Sequence, residues 1–441
     1  MPHRLTALFL LCAALMACAL PATAVGASAT LYAYFDGSLS RLIDEKGRTV
    51  ADEGWQHIEA LRSPQGERRF VALRYDADGS QATLLDAAGQ PLTDRRYEYI
   101  YAQDGELLAM RDELMGVLDW DGSEILPARY ASIVPTGSGA YLTTTGNPGD
   151  GIADELYLTD ADGVSSYLGD NACCMGRFSE GLLVAQALTG KFGYLDTSGQ
   201  WAIAPIYDQA DEFQGGRAVV ARGGLYGMID AKGALVLPLR YDSIVAVDIF
   251  SGTAAERMGG AVGAIVTLSG GAATIYPSDT MIPSCSVSGV DYAYLPGYGL
   301  AVLASDEVRD VYDARGRLLL RLEGDSMLIV LSGTRALAIP DDGSSARMMD
   351  LQSGETLALL DGACDAYTLS DGEGDWGICV GYGGSEGPDV LYGICDMDGA
   401  EILPARYDMI AQVDEGVYSV RCGQAFGLMR AGGEWILEPK Q

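Results

Sequence analysis

The sequence predicts an all-β protein of tandem repeats that form a propeller-like ring or rings. One phrase recurs about eleven times: an apolar strand, Asp-x-x-Gly, a second apolar strand, Pro and Tyr-Asp-x-Ile. The anchors of this phrase run from Asp44 to Arg430 in ten intervals of about 39 residues, which is the size of one four-stranded blade. The apolar segments are short and rich in β-branched and aromatic residues, as strands are. Because eleven units exceed the usual ~4–8 blades, an open curved β-solenoid array is the alternative.

The clearest copies of the phrase are residues 194–208, 228–242 and 394–408. Asp-x-x-Gly predicts a tight hairpin in which the Asp carboxylate caps the turn and the Gly adopts a left-handed conformation. We expect the Pro to end the second strand, and we expect either a bulge or a bend at the entry of the strand that contains the following Tyr and Ile. This pattern assigns structural roles to Asp196, Gly199, Tyr207, Asp230, Gly233, Tyr241, Asp396, Gly399 and Tyr407.

Just before each Asp-x-x-Gly lies an aromatic residue followed by Gly: Phe192-Gly193, Tyr226-Gly227 and Tyr392-Gly393. The segment 178–184, FSEGLLV, supplies a further strand that starts with Phe-x-x-Gly-Leu. Together these motifs resemble the bacterial WG-repeat family, in which Trp-Gly stands at the position of the aromatic-Gly pair. The resemblance spans nearly all of residues 39–437. It implies a general interaction module.

The first residues have the features of a targeting segment. Arg4 supplies the positive charge, and residues 5–17 form an apolar stretch too short to span a membrane. Cleavage after Ala24 would make residues 1–24 an ordinary signal peptide. Residues 15–18 (LMAC) also resemble a lipobox, whose cleavage after residue 17 would leave Cys18 lipidated. Both alternatives predict an extracytoplasmic protein, either secreted or lipid-anchored at the bacterial cell surface.

We expect the mature protein to be a single repeat array over residues 30–441. Gly-rich, irregular stretches interrupt the repeat, and if the array has two bodies they join near residues 248–290. Beyond the first residues, no apolar run is long enough for a transmembrane span, so a lipid on Cys18 is the expected membrane contact.

The charge balance limits the class of partner. The chain has 61 acidic and 29 basic residues and a net charge of −32. Such a field repels nucleic acid and anionic lipid. The remaining partners are a protein or a glycan of the cell envelope.

Seven cysteines follow the signal region, and an odd number leaves at least one of them outside any intramolecular disulfide. Four of them cluster in the last repeats, where we expect one disulfide: Cys364, Cys379, Cys395 and Cys422. The vicinal pair Cys173-Cys174 is interpreted as two free thiols.

The sequence contains few residues suited to a catalytic site. After export His57 is the one histidine left for a nucleophilic triad, and it occupies the place of Tyr-Asp-x-Ile in its repeat. We interpret it as an exposed repeat variant. The predicted function is therefore non-catalytic, a binding or interaction scaffold at the cell surface, and a carboxylate-based hydrolase is a remote alternative.

A second alternative is a calcium-stabilised module that binds glycans or peptidoglycan. Two acidic, Gly-containing stretches depart from the repeat and carry the candidate Ca²⁺ ligands, although no cofactor is the primary expectation. These candidates are Asp150, Asp154, Asp371, Glu373 and Asp375. Tyr292, Tyr294 and Tyr298 also fall outside the repeat phase and are candidates for a contact surface.

Overall fold

The computed structural model describes residues 30–50, 54–76, 79–93, 97–145, 155–169, 172–174, 176–246, 263–324, 326–340, 344–371, 374–383 and 390–439. The predicted all-β class is confirmed. The described residues form a ten-bladed β-propeller of small antiparallel sheets, nine of four strands and one of three, with a further two-stranded sheet at the N-terminal end.

The strands follow one another through the sheets in chain order. The N-terminal sheet and the first three blades contain β1 (Tyr32–Phe35) and β2 (Ser40–Ile43); β3 (His57–Arg62), β4 (Arg68–Asp76) and β5 (Gly79–Leu85); β6 (Tyr99–Gln103), β7 (Glu106–Arg111), β8 (Leu114–Leu118) and β9 (Glu124–Tyr130); β10 (Ser132–Pro135), β11 (Ala140–Thr145), β12 (Glu155–Asp160) and β13 (Ser165–Gly169).

The next four blades, 4 to 7, contain β14 (Ala172–Cys174), β15 (Leu182–Ala187), β16 (Phe192–Asp196) and β17 (Trp201–Tyr207); β18 (Gln209–Ala210), β19 (Arg217–Arg222), β20 (Leu225–Asp230) and β21 (Leu235–Tyr241); β22 (Ser243–Val245), β23 (Ala264–Ser269), β24 (Ala272–Pro277) and β25 (Cys285–Ser288); β26 (Tyr292–Gly297), β27 (Leu300–Ala304), β28 (Val308–Asp313) and β29 (Leu318–Glu323).

Blades 8 to 10 contain β30 (Ser326–Val330), β31 (Arg335–Pro340), β32 (Ala346–Asp350) and β33 (Thr356–Leu360); β34 (Ala363–Ser370), β35 (Asp375–Tyr382), β36 (Leu391–Cys395) and β37 (Glu401–Tyr407); β38 (Met409–Asp414), β39 (Val417–Cys422), β40 (Ala425–Arg430) and β41 (Trp435–Leu437). A single 3₁₀ turn, Ala431–Gly433, precedes the last strand.

The first strand of each blade lies at the inner edge of the ring. First strands of neighbouring blades contact one another, as β22 does β26, β26 does β30 and β30 does β34. The first strand of blade 10, β38, contacts the first strand of blade 1, β3. The two ends of the described chain therefore meet, and the ring is closed.

Side-chain contacts join the N-terminal sheet and blade 1 to blade 10. Phe35 of the N-terminal sheet packs edge-on against Phe426 of blade 10, with ring centroids 5.7 Å apart, and Tyr34 donates a hydrogen bond to the Phe426 carbonyl. Arg68 of blade 1 forms an ion pair with Asp414 of blade 10. Among the described strands, none from the N-terminal sheet pairs with blade 10, so strand exchange does not close the ring there.

The core consists of apolar layers between neighbouring blades. Val302 and Val311 of blade 7 pack in one cluster with Leu328 and Ala336 of blade 8, and Val266 of blade 6 shares another with Ala301 of blade 7. Each sheet thereby buries both faces, which is why a single repeat could not fold alone. Residues 247–262 lie outside the described part of the chain, and a division into two bodies near 248–290 stays a prediction.

One expectation about the repeat phrase is wrong, and for another the structure selects one of two alternatives. The strand after the hairpin does not end at the Pro: β21 runs through Pro238 to Tyr241, because it is the outer edge strand and its outward positions need no ladder donor. Of the expected bulge or bend between Tyr241 and Ile244, the structure has the bend, since Tyr241 ends blade 5 and Ile244 lies in the first strand of blade 6. The bend is the passage from one blade to the next.

Candidate binding surfaces

The Asp carboxylate of the Asp-x-x-Gly turn accepts hydrogen bonds from the backbone of its own turn. The Asp230 Oδ1 atom accepts hydrogen bonds from the backbone N–H groups of Lys232 and Ala234, both at 2.9 Å. Gly233 has a φ of +79°, the left-handed conformation that the turn requires. Asp196 with Gly199 and Asp396 with Gly399 repeat this geometry. These carboxylates are therefore occupied by the fold.

The Asp that follows each repeat Tyr has a second structural use. Asp208 accepts a hydrogen bond at 2.6 Å from the N–H of Gly223, in the turn between the second and third strands of its blade. Asp242 and Asp408 accept the equivalent bonds from Gly270 and Gly423. These acids close the opposite end of the blade from the Asp-x-x-Gly turns, which explains their recurrence without a ligand.

The repeat tyrosines are buried, and three of them are capped by the arginine that directly precedes them. The Arg406 guanidinium lies 5.1 Å from the ring centroid of Tyr407 and donates two hydrogen bonds to its hydroxyl, at 3.0 and 3.1 Å. Arg240 covers Tyr241, and Arg129 covers Tyr130, in the same way. Tyr207 is equally buried but follows Ile206, which is exposed. The sequence signal for this cap is Arg-Tyr at the end of the strand, and it is absent from the expectations drawn from the repeat phrase.

The Gly after the aromatic residue has a steric role that the sequence did not reveal. A Cβ atom on Gly393 would lie 2.8 Å from both the Leu403 carbonyl oxygen and the Ala405 nitrogen. Gly116, Gly193 and Gly227 meet the outer strands of their own blades just as closely. The register of the two outer strands shifts at this point, so the fourth strand bulges onto the third. Only glycine leaves room for that backbone.

The calcium candidates fall partly outside the described residues, where Asp150, Asp154 and Glu373 lie. Asp371 and Asp375 flank the hairpin between β34 and β35, and Asp371 accepts a hydrogen bond at 3.1 Å from the Gly374 N–H. Across the described ranges, no group of three or more His, Cys, Asp or Glu side chains is arranged to hold a metal ion.

The cysteines predicted to form a disulfide lie in blades 9 and 10. Cys364, Cys379 and Cys395 are thiols in this structure. Cys379 and Cys395 lie on adjacent strands but face opposite sides of their sheet, since they belong to different core clusters. That pair is unsuited to a bridge. Cys422 is buried in the same cluster as Cys379, and the predicted disulfide stays a prediction. Cys18 lies outside the described residues.

His57 begins β3 and is half-buried, not exposed as the sequence suggested. Burial lowers its pKa below the ordinary 6.5, so it is neutral at pH 7.

Two of the three tyrosines outside the repeat phase are used to join blades. The Tyr294 hydroxyl donates to the Leu328 carbonyl at 3.4 Å, and that of Tyr298 donates to the Leu331 carbonyl at 3.3 Å. Both bonds cross from blade 7 to blade 8. Tyr292 differs from them, with 46% of its surface exposed.

Three other tyrosines are exposed on β4 of blade 1 and β6 of blade 2, two strands that contact each other. Tyr75, Tyr99 and Tyr101 have exposed fractions of 52%, 47% and 40%. Tyr75 pairs with Ser80 in the ladder of blade 1, and the Ser80 hydroxyl donates at 2.8 Å to the carbonyl of Glu98, the residue before Tyr99. Tyr99 and Tyr101 alternate with buried Ile100 on β6, the inner strand of blade 2. We call these three residues the tyrosine patch.

In the described part of the chain, no helix is long and apolar enough to cross a bilayer.

The solved structures that match the chain are distant from it. A crystal structure of a eukaryotic initiation factor is 12% identical, with a TM-score of 0.40, covering 70% of this chain and 91% of that one. AztD from Citrobacter koseri is 11% identical, with a TM-score of 0.28, covering 75% and 94%. The tricorn protease is 14% identical, with a TM-score of 0.25, covering 88% and 46%. No curated protein matches the chain.

The family comparison is specific to the repeat. The model of the WG containing repeat matches residues 192–226, 226–255 and 392–424. These segments contain Gly193, Gly227 and Gly393, whose contacts with the outer strand are described above. The expected resemblance is confirmed: the chain carries WG-containing repeats at three places within a ten-bladed β-propeller.

Proposed function

We propose that this protein is a non-catalytic binding scaffold, exported to the bacterial cell surface, that contacts a protein or glycan of the envelope through the tyrosine patch. The observation that carries this proposal is a contrast between two sets of side chains. The recurrent Asp and Tyr residues are engaged in turns and caps inside the blades, whereas Tyr75, Tyr99 and Tyr101 are exposed.

Exposed aromatic rings on rigid strands suit a binding surface. They supply a large contact area at low cost in conformational entropy, and a hydroxyl that can hydrogen-bond to a sugar or a peptide. Tyr99 and Tyr101 stand on a strand whose alternate residue, Ile100, is 4% exposed and anchored in the core. A net charge of −32 favours a neutral or cationic ligand over an anionic polymer.

Export to the surface is part of the proposal and rests on the first 24 residues. Fractionation of the native host with an antibody against the full chain tests it, with Cys18→Ala as the variant that separates lipidation from ordinary secretion. A protein recovered in the cytosol with residues 1–24 intact would overturn the assignment.

The binding role is tested by co-sedimentation of the mature chain with purified peptidoglycan and by photo-cross-linking to envelope proteins. The cross-linker p-benzoylphenylalanine replaces Tyr99 in one sample and Tyr167 in the control. Tyr167 is also exposed, at 56%, but lies on the outer strand of blade 3. Specific capture from position 99, lost when Tyr75 and Tyr101 become Ala, supports the proposal.

Co-sedimentation with peptidoglycan that the Tyr99→Ala and Tyr101→Ala variants abolish, and Tyr167→Ala does not, would instead select the glycan. Equal capture from positions 99 and 167, with unchanged sedimentation of all variants, would overturn the patch as the binding surface.

A further inference from the structure

A cavity of about 350 Å³ lies where the two ends of the ring meet. Blade 1 contributes Arg62 and Arg68, the N-terminal sheet contributes Tyr32, and blade 10 contributes Asp414 and Arg430. Three arginines lining one cavity is unexpected in a protein with 61 acidic and 29 basic residues. The arrangement therefore calls for a chemical explanation.

The guanidinium groups of Arg68 and Arg430 both lie over the ring of Tyr32. The Arg68 guanidinium lies 5.5 Å, and that of Arg430 5.8 Å, from the centroid of the Tyr32 ring. Arg430 also donates a hydrogen bond at 3.1 Å to the Tyr32 hydroxyl. The Tyr32 ring therefore keeps the guanidinium groups of Arg68 and Arg430, which come from different blades, close to each other. Their N–H groups can then donate to the same acceptor.

Carboxylates lie within 4 Å of all three arginines. Asp414 forms an ion pair with Arg68 and lies 3.9 Å from Arg62, while Glu415 lies 3.5 Å from Arg62. Arg430 is 3.8 Å from Glu434. Two of these carboxylates, Asp414 and Glu415, line the cavity together with the three arginines, so the case for a ligand depends on the donors that remain unpaired.

Arg68 has a donor that the protein does not satisfy. Its side chain is 13% exposed, and its Nε–H is buried with no hydrogen-bond partner among the described residues. Burial and the repulsion from Arg62 lower the pKa of Arg68, so a bound anion would relieve both costs. An unpaired buried donor is destabilising, and an oxyanion is the acceptor that a guanidinium binds best.

We propose that this cavity, the closure cavity, binds a small oxyanion through Arg68, Arg62 and Arg430, with the Tyr32 hydroxyl as a further donor. The ligand is a carboxylate or phosphate group, which share this chemistry. Binding joins blade 1 to blade 10 and so couples ligand to ring closure. The site is separate from the tyrosine patch, so each proposal can fail without the other.

The test uses the full mature chain and inorganic phosphate, with sodium chloride at the same ionic strength as the reference. We expect phosphate to raise the thermal unfolding midpoint, and calorimetry to yield a 1:1 complex. A carboxylate probe, glucuronate, is titrated in parallel. Tighter binding of phosphate or of glucuronate identifies which of the two groups the site takes.

Two variants separate a binding site from a structural ion pair. Arg430→Gln should weaken binding of the preferred probe about tenfold, because one charge-assisted hydrogen bond is lost. Asp414→Asn should tighten binding several-fold, because it removes the carboxylate that competes for Arg68. Arg177→Gln, an exposed arginine of another blade, is the matched control and should change nothing.

The opposite response of Asp414→Asn is the decisive result, because loss of a merely structural ion pair would only destabilise the chain. The proposal is overturned if neither probe binds beyond the chloride reference. It is also overturned if Arg430→Gln binds like Arg177→Gln, or if Asp414→Asn weakens binding.

Discussion

A Cβ atom placed on Gly193 would lie 2.5 Å from the carbonyl oxygen of Ile203, in the neighbouring strand of the same blade. No real Cβ atom comes so close to backbone oxygen. The contact is the physical reason for the glycine of the repeat, since its φ is not in the left-handed region. The glycine accommodates the bulge of the outer strand.

Gly193→Ala should therefore destabilise the protein by about 1–3 kcal/mol, the usual cost of overpacking against backbone that cannot move away. Urea unfolding followed by tryptophan fluorescence measures the change. Gly374→Ala is the control, because a Cβ there meets nothing within 4 Å and its φ is also outside the left-handed region. Equal stability of the two variants would contradict the steric role of Gly193.

The Asp196 turn predicts a pH dependence. Burial alone would raise the pKa of Asp196, but the hydrogen bonds from Ser198 and Gln200 outweigh it and lower the pKa below the ordinary 3.8. A carboxyl with a depressed folded-state pKa stabilises the fold fully above the unfolded-state pKa. That contribution disappears as the pH falls through the folded-state value.

Asp196→Asn keeps the acceptor of the turn but removes the charge. It should lower the stability at pH 7 by roughly 0.5–1 kcal/mol, and the difference from the parent protein should shrink as the pH falls through the lowered folded-state pKa. Thermal unfolding of both proteins from pH 7 to pH 2 measures this. A difference that is constant with pH would show that the charge of Asp196 contributes nothing.

The missing arginine cap on Tyr207 predicts a stabilising substitution. Ile206 is 42% exposed and occupies the position that Arg129, Arg240 and Arg406 hold in their own blades. Ile206→Arg should place a guanidinium over the Tyr207 ring and stabilise the protein by about 0.5–1 kcal/mol.

Ile206→Lys is the control for that experiment, because an ammonium group lacks the planar fork that covers the ring and reaches its hydroxyl. The thermal unfolding midpoint of Ile206→Arg should exceed those of both the parent and the lysine variant. A midpoint equal to that of Ile206→Lys would mean that charge alone, and not the stacked geometry, is responsible.

The thiols of blade 9 should be inert in the folded protein. Burial raises the pKa of Cys379 to about 12 and that of Cys395 to about 11, so little thiolate forms at pH 8. We expect iodoacetamide to label both residues at least about a hundredfold more slowly than in urea. The half-buried Cys285 is the internal reference.

Peptide mass spectrometry of the labelled chain measures these rates and reveals any disulfide at the same time. Recovery of a Cys379–Cys395 bridge would contradict their placement on opposite sides of the sheet. Fast labelling of Cys379 in the native protein would contradict its burial.

Much of the repeat could be predicted because its signals are local. An Asp side chain that bonds its own turn and a Gly with positive φ are decided within five residues, as at Asp230 and Gly233. The sequence predicts that Pro238 ends its strand, because proline cannot donate to a ladder. The strand continues because it lies at the edge of its sheet, where that donor is not needed.

Features that depend on distant residues could not be predicted. Arg68 and Asp414 are far apart in the chain, and only ring closure makes them neighbours. Tyr99 and Tyr101 look like ordinary strand residues in the sequence, and their exposure follows from the position of β6 at the inner edge of blade 2. Packing of the neighbouring blade decides which tyrosine is covered, as for Tyr294 and its bond to Leu328.

The central claim is that the blades close into one ring with the N-terminal sheet against blade 10. Photo-cross-linking from p-benzoylphenylalanine at position 426 tests it most directly, because Phe426 lies against Phe35 in the closed ring. The account predicts an intramolecular cross-link, in the monomer, to a peptide that contains Tyr34 and Phe35. Cross-links from position 426 to blade 10 alone, or only between two chains, would contradict a closed ring.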